Sequence, residues 1–141
     1  PRISLVTLGV RDLQRSYDFY HRGLGFPTTR TPERGIIFLQ TVGTCLALYP
    51  YDRLAEDVAP NFPKERGRFP GITLAHNTKT KDEVDEVLKL AEQGGATIEK
   101  PAQIASWGGY SGYFSDPDGY LWEVAWAEDW HFHGDGSLVI E

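Results

Sequence analysis

The chain has 141 residues, 40% hydrophobic and 24% charged, proportions that exclude wholesale disorder and suit a single folded core. Its 14 Lys and Arg against 20 Asp and Glu give a net charge of −6, which repels phosphate backbones and makes nucleic acid an unexpected partner. The lone cysteine, Cys45, excludes an internal disulfide and a Cys-rich zinc site, and no apolar run approaches the length of a membrane span. The first residues also lack a basic segment followed by an apolar signal core, so the expected location is the cytoplasm and no membrane partner is expected.

In chain order, Ile3 to Val10 is aliphatic and β-branched and reads as a strand. Asp12 stands where a helix N-cap belongs, and Leu13, Tyr17, Tyr20 and Leu24 then form one apolar helical face, ended by Gly23 and Gly25. Strands are predicted at Phe26 to Arg30, Gly35 to Gln40 and Thr44 to Tyr49, with Val42-Gly43 as a turn. Residues 51–69 carry Pro60, Pro63 and Gly67 without a sustained period and read as a linker.

The pattern then starts again. Ile72-Thr73-Leu74-Ala75 echoes Val6-Thr7-Leu8-Gly9, and Thr80 with Glu83 has the form of a capping box. Val84, Val87, Leu88 and Ala91 supply a helical face that Gly94-Gly95 closes. Strands are predicted at Ala96 to Glu99, Tyr110 to Ser115 and Tyr120 to Trp126, with Asp116-Pro117-Asp118-Gly119 as the turn between the last two. The chain therefore reads as one α+β domain over 1–141: a first βαβββ module over 1–50, a linker over 51–69, a second module over 70–126 and a tail over 127–141. Two such modules side by side would make an eight-stranded concave half-barrel with helices outside, and concave faces bind small molecules.

The stretches Leu5-Val6-Thr7-Leu8-Gly9-Val10-Arg11-Asp12-Leu13, Ser16-Tyr17-Asp18-Phe19-Tyr20 and Gly23-Leu24-Gly25-Phe26 resemble the opening motif of the vicinal oxygen chelate superfamily, the glyoxalase/bleomycin resistance/dioxygenase group. Gly94-Gly95-Ala96 and the run Phe114 to Glu123 resemble its second half. The resemblance implies tandem βαβββ modules, a homodimer and a ligand cleft. In metalloenzymes of that group, ligands stand on the first and last strands of each module. Here those positions are Leu5, Ala47, Gly71 and Glu123, and Glu123 alone carries a donor side chain. No cofactor is therefore expected, although a divalent metal on a rearranged ligand set is left open.

Strand parity anchored on these positions turns Leu5, Thr7 and Gly9, Cys45, Ala47 and Tyr49, Gly71, Thr73 and Ala75, and Leu121, Glu123 and Ala125 to the inner face. Trp122, Val124 and Trp126 then pack against helices. Glu123 is the candidate catalytic residue, and Thr7, Cys45, Tyr49, Thr73 and Leu121 are candidate ligand contacts. Trp107, Tyr110 and Tyr113 come from a glycine-rich stretch that parity does not orient, and are candidate stacking walls. His21 is expected to sit at its helix terminus and His76 to face away from the cleft. His131 and His133 could complete a three-ligand site with Glu123 if the tail folded over it. The expected function is binding of a small, partly apolar molecule without metal. The alternative is a lyase, isomerase or dioxygenase that uses a rearranged metal site or Glu123 as general base.

Overall fold

Branched and aliphatic side chains extend Leu5–Val10 into strand β1, and Asp12 ends the extension by capping the helix that follows. The protein is represented by a computed structural model that describes residues 3, 5–61, 63–65, 67, 70 and 72–139. The chain divides into two compact units, Pro1–Ile72 and Thr73–Glu141, each with its own sheet.

In the first unit the Asp12 carboxylate accepts from the backbone N–H of Arg15 at 2.9 Å, starting α1 (Leu13–Tyr17). The helix continues as a wider π-type turn over Asp18–Gly23 and buries Ser16, Tyr17, Phe19 and Tyr20. Strands β2 (Ile37–Gln40) and β3 (Cys45–Pro50) complete a sheet of order β1-β3-β2, in which β1 runs parallel to β3 and β2 antiparallel to it. Ile37, Leu39 and Leu48 fill the core.

The first unit departs from expectation in two segments. The strand expected at Phe26 to Arg30 is absent. Pro27 has no N–H for a ladder, and the Thr28 hydroxyl accepts the N–H of Arg30 at 3.1 Å. One bond, from Gln40 N–H to the Pro27 carbonyl at 2.8 Å, holds the segment beside β2. Tyr51–Val58, expected to open a linker, is helix α2. Its local signal is weak because its apolar contacts lie in β1: a Cβ at Gly9 would stand 2.8 Å from Tyr51 Cδ2 and 3.2 Å from Leu54 Cδ2. The bare glycine lets α2 seat there. Beyond the helix, the Tyr51 hydroxyl donates to the Lys64 carbonyl at 2.6 Å, and the Lys64 ammonium meets Asp52 at 3.2 Å.

The second unit contains β4 (Leu74–Asn77), α3 (Lys81–Gln93), β5 (Thr97–Ile104), β6 (Tyr110–Ser115) and β7 (Leu121–Trp126). Its sheet has the order β4-β7-β6-β5, with β4 parallel to β7, so the described residues hold seven strands where eight were expected. The capping box forms as read: Thr80 Oγ1 accepts from Glu83 N–H at 3.3 Å, and Glu83 Oε2 accepts from Thr80 N–H at 3.2 Å. One face of α3 buries Val84, Leu88 and Ala91 over Val124, Phe114 and Trp122, the two rings stacking at 6.1 Å. Gly112 lies under the same helix, where a Cβ would stand 2.7 Å from Leu88 Cδ1. The Asp116 carboxylate accepts from Asp118 N–H and Tyr120 N–H at 2.9 and 2.8 Å and fixes the β6–β7 turn. Among the described residues no helix is long and apolar enough to cross a membrane.

Thr80→Ala removes the cap acceptor and should cost about 1 kcal/mol, lowering the calorimetric midpoint by roughly 3 °C. Gly112→Ala should cost more, because its new methyl meets backbone as well as Leu88.

Candidate functional site

The two units place equivalent residues by the same count from their helix caps. Thr7 lies five residues before the N-cap Asp12, and Ala75 five before the N-cap Thr80. Each is the first member of a row across its sheet. In the first unit the row is Thr7, Ala47 and Phe38, with the Arg30 guanidinium 5.1 Å from the Phe38 ring centre. In the second it is Ala75, Glu123, Tyr113 and Lys100, with the Lys100 ammonium 6.0 Å from the Tyr113 ring centre. Alternation puts this second row on the sheet face opposite Phe114, Trp122 and Val124, away from α3.

Glu123 and Tyr113 are directly paired and half-buried. Burial pushes the Tyr113 phenol above its ordinary range, and its hydrogen bond to Glu123 and that carboxylate's charge push the same way. A phenol is neutral at pH 7 with or without this shift, so Tyr113 is the donor and the Glu123 carboxylate the acceptor. Two positions along each strand, on the same face, lie Ser111 and Ala125, both buried, and Ser115 beside half-buried Leu121. Ser115 Oγ donates to Glu99 Oε1 at 2.7 Å. The result is an acid and a phenol over a floor of small side chains, with an ammonium alongside.

The other candidates fall differently. Thr7, Cys45 and Tyr49 are half-buried on the corresponding face of the first unit, where Gly9, the register partner of Tyr49, lies under α2. The Cys45 thiol lies 3.4 Å from the Leu39 carbonyl. Thr73 is exposed and precedes β4, because that strand begins at Leu74. Tyr110 is not a wall on this face: the odd offset from Tyr113 turns it to the helix layer, where it donates to Asp85 Oδ1 at 2.9 Å beneath the Lys81 ammonium. Trp107 is 51% exposed and stacks on Trp130 at 5.8 Å. His76 pairs with Val124 and so faces away from Glu123, and protein crowding holds its imidazole below the usual range despite the charge of Glu83. His21 Nδ1 bonds the Phe26 carbonyl at 2.7 Å. His131 and His133 belong to a tail hairpin closed by Phe132 and Leu138 and form no three-ligand group with Glu123. Lys100 was not anticipated; the faint signal for it is the following Pro101, which interrupts a strand ladder.

A divalent metal does not fit the positions that the resemblance implies. Leu5 and Ala47 offer no lone pair, and Gly71 lies outside the described residues and has no side chain. The internal count also corrects that third position: Leu5 lies seven residues before Asp12, and Thr73, not Gly71, seven before Thr80. A threonine hydroxyl is a poor substitute for imidazole or carboxylate. Glu123 is left as one carboxylate already engaged by Tyr113.

Comparison with known proteins places these features in a family. The profile of the Glyoxalase/Bleomycin resistance protein/Dioxygenase superfamily matches residues 2–124. Among solved structures, a glyoxalase-related enzyme from Fulvimarina pelagi is 34% identical with a TM-score of 0.87, covering 99% of this chain and 97% of that one. A glyoxalase/bleomycin resistance protein/dioxygenase family enzyme from Burkholderia phytofirmans PsJN is 22% identical with a TM-score of 0.77, covering 89% and 98%. A lactoylglutathione lyase from Agrobacterium tumefaciens is 22% identical with a TM-score of 0.66, covering 93% and 97%. At 22% identity the last two share the fold with this chain. No curated protein sequence matches.

The Tyr113 environment has a measurable consequence. A phenol whose folded pKa exceeds its unfolded value of 10.0 supports folding fully below that pH, and the support is lost as pH rises through the folded value. Urea midpoints above pH 10 should therefore fall more steeply for the wild type than for Tyr113→Phe. Equal slopes would contradict the Tyr113–Glu123 bond.

Proposed function

The chain belongs to the Glyoxalase/Bleomycin resistance protein/Dioxygenase superfamily, and from that premise we propose that it binds a small, partly apolar molecule over the Glu123–Tyr113 face, without a divalent metal. The observation that carries this reading is the half-buried acid–phenol pair above the small residues Ala75, Ser111 and Ala125. Small side chains leave room for a ligand body, and a few fixed polar groups orient it. The donor-poor positions Leu5, Ala47 and Thr73 support the metal-free part.

A second reading gives Glu123 a chemical role. The Tyr113 hydrogen bond orients its carboxylate, as a general base requires, and the Fulvimarina pelagi relative is described as a glyoxalase-related enzyme. On this reading Glu123 takes a proton from carbon beside a substrate carbonyl in a lyase or isomerase reaction, while the Tyr113 hydroxyl orients the carboxylate.

The proposal includes a cytoplasmic homodimer. The lone Cys45 requires no oxidising compartment, and β1, β2, β4 and β5 are the outer strands of their own sheets, suited to covering by a second copy. Light scattering at twice the chain mass is the expected result; a monomer removes this part.

The deciding experiment pairs metal analysis with thermal shifts. Protein purified without chelator should carry sub-stoichiometric metal, and Ni, Zn, Mn and Fe(II) should leave its midpoint unchanged. A panel of small aromatic and aliphatic oxygen compounds should include some that raise the midpoint in wild type and lose most of that shift in Glu123→Gln. One tight ion per chain would overturn the metal-free reading. Turnover of a bound compound that disappears in Glu123→Gln while binding survives would select the second reading.

A further inference from the structure

Strand β5 does not keep register with β6. Its pairing shifts between Ile98 and Lys100 and again between Lys100 and Gln103. Such irregularities bend an outer strand and re-aim its side chains. The second contains Pro101, which has no N–H for the ladder. It also lies against Gly112, where a Cβ would stand 2.8 Å from the Lys100 carbonyl oxygen and 3.0 Å from Ala102 N. Close packing therefore fixes the Lys100 backbone from behind, while its register with Tyr113 puts the side chain on the face that carries Glu123.

The ammonium then lies 6.0 Å from the Tyr113 ring centre, and among the described residues it forms no ion pair. Two strand spacings, about 10 Å, separate the backbones of Lys100 and Glu123. Three consecutive members of the row are thus bipolar, with the Lys100 cation and the Glu123 anion on either side of the Tyr113 ring. The equivalent row of the first unit keeps the cation and ring, as Arg30 and Phe38, but has Ala47 where the second has Glu123. The bipolar character belongs to the second unit.

Resting on the Glu123-face reading above, we infer that Lys100 is a ligand-binding residue that fixes the substrate class. It takes the carboxylate of a small hydroxy- or amino-acid. The ligand's unsaturated or aromatic body lies against Tyr113, and its O–H or N–H donor reaches the Glu123 carboxylate. A neutral compound of the same shape forfeits the charged contact, and a dianion meets repulsion at Glu123.

The test uses the full chain, with 3-hydroxybenzoate and neutral 3-hydroxybenzyl alcohol as probes, titrated by calorimetry. The wild type should bind the benzoate about tenfold more tightly than the alcohol, a preference that fades with added salt. Lys100→Gln should lose about tenfold for the benzoate and leave the alcohol unchanged, while Lys100→Arg restores most of the loss. Near-UV circular dichroism checks that each variant is folded. If Lys100→Gln binds the benzoate as well as wild type while Glu123→Gln weakens both probes, the Lys100 assignment is overturned and the Glu123 face stands. If neither probe binds the wild type, the Lys100 assignment is overturned, and the compound panel decides the Glu123 face separately.

Discussion

The parallel pairing of β4 with β7 is the constraint on which the second unit depends. It fixes Ala75 opposite Glu123, and the antiparallel β6–β7 pairing fixes Glu123 opposite Tyr113. A slip of one residue would send Glu123 under α3 and bring Trp122 and Val124 out of the core. That exchange is forbidden on energetic grounds: the Phe114–Trp122 stack and the buried Val124 would lose their apolar surroundings, and a carboxylate would enter them. Gly112 reinforces the register, since no other residue lets α3 and β5 both approach the same point of β6. The polar row is held in place by the apolar row behind it.

The two units repeat this backbone logic with different side chains. Both enter their helix five residues after the row begins, and both carry a cation beside an aromatic ring. They diverge at the parallel partner and its antiparallel neighbour, where one has Ala47 beside Phe38 and the other Glu123 beside Tyr113. Two substitutions of type, a methyl for a carboxylate and a hydrogen for a hydroxyl, separate an apolar surface from a hydrogen-bonding one. Since neither alters the pleat, chemistry could drift while the fold stayed fixed.

The parts legible in the sequence are those with local causes. Asp12 and the Thr80–Glu83 box announce helices because capping is settled within one turn, and Asp116 to Gly119 announces a hairpin because its hydrogen bonds are internal to the turn. The opposite faces of Glu123 and Trp122 followed from parity, since β7 is regular. Counting outward from that hairpin would also have oriented Tyr113 toward Glu123 and Tyr110 away, a signal that the neighbouring glycines obscured. Other features were hidden because their causes are distant. Helix α2 depends on space above Gly9, the placement of Lys100 depends on register shifts against Gly112, and the Phe26 to Arg30 segment fails as a strand through one proline and one threonine hydroxyl.

Trp107 shows how a loop can report on a tail. Its six-membered ring lies so close over Gly109 that a Cβ there would overlap it, and its other neighbour is the Trp130 ring, tilted by only 14°. The β5–β6 connection and the residues leading to the terminal hairpin thereby meet through two indoles. Two indoles at that separation and angle couple their electronic transitions. The chain thus carries an intrinsic optical signature of tail docking, one that vanishes when the two rings part even if both sheets stay intact.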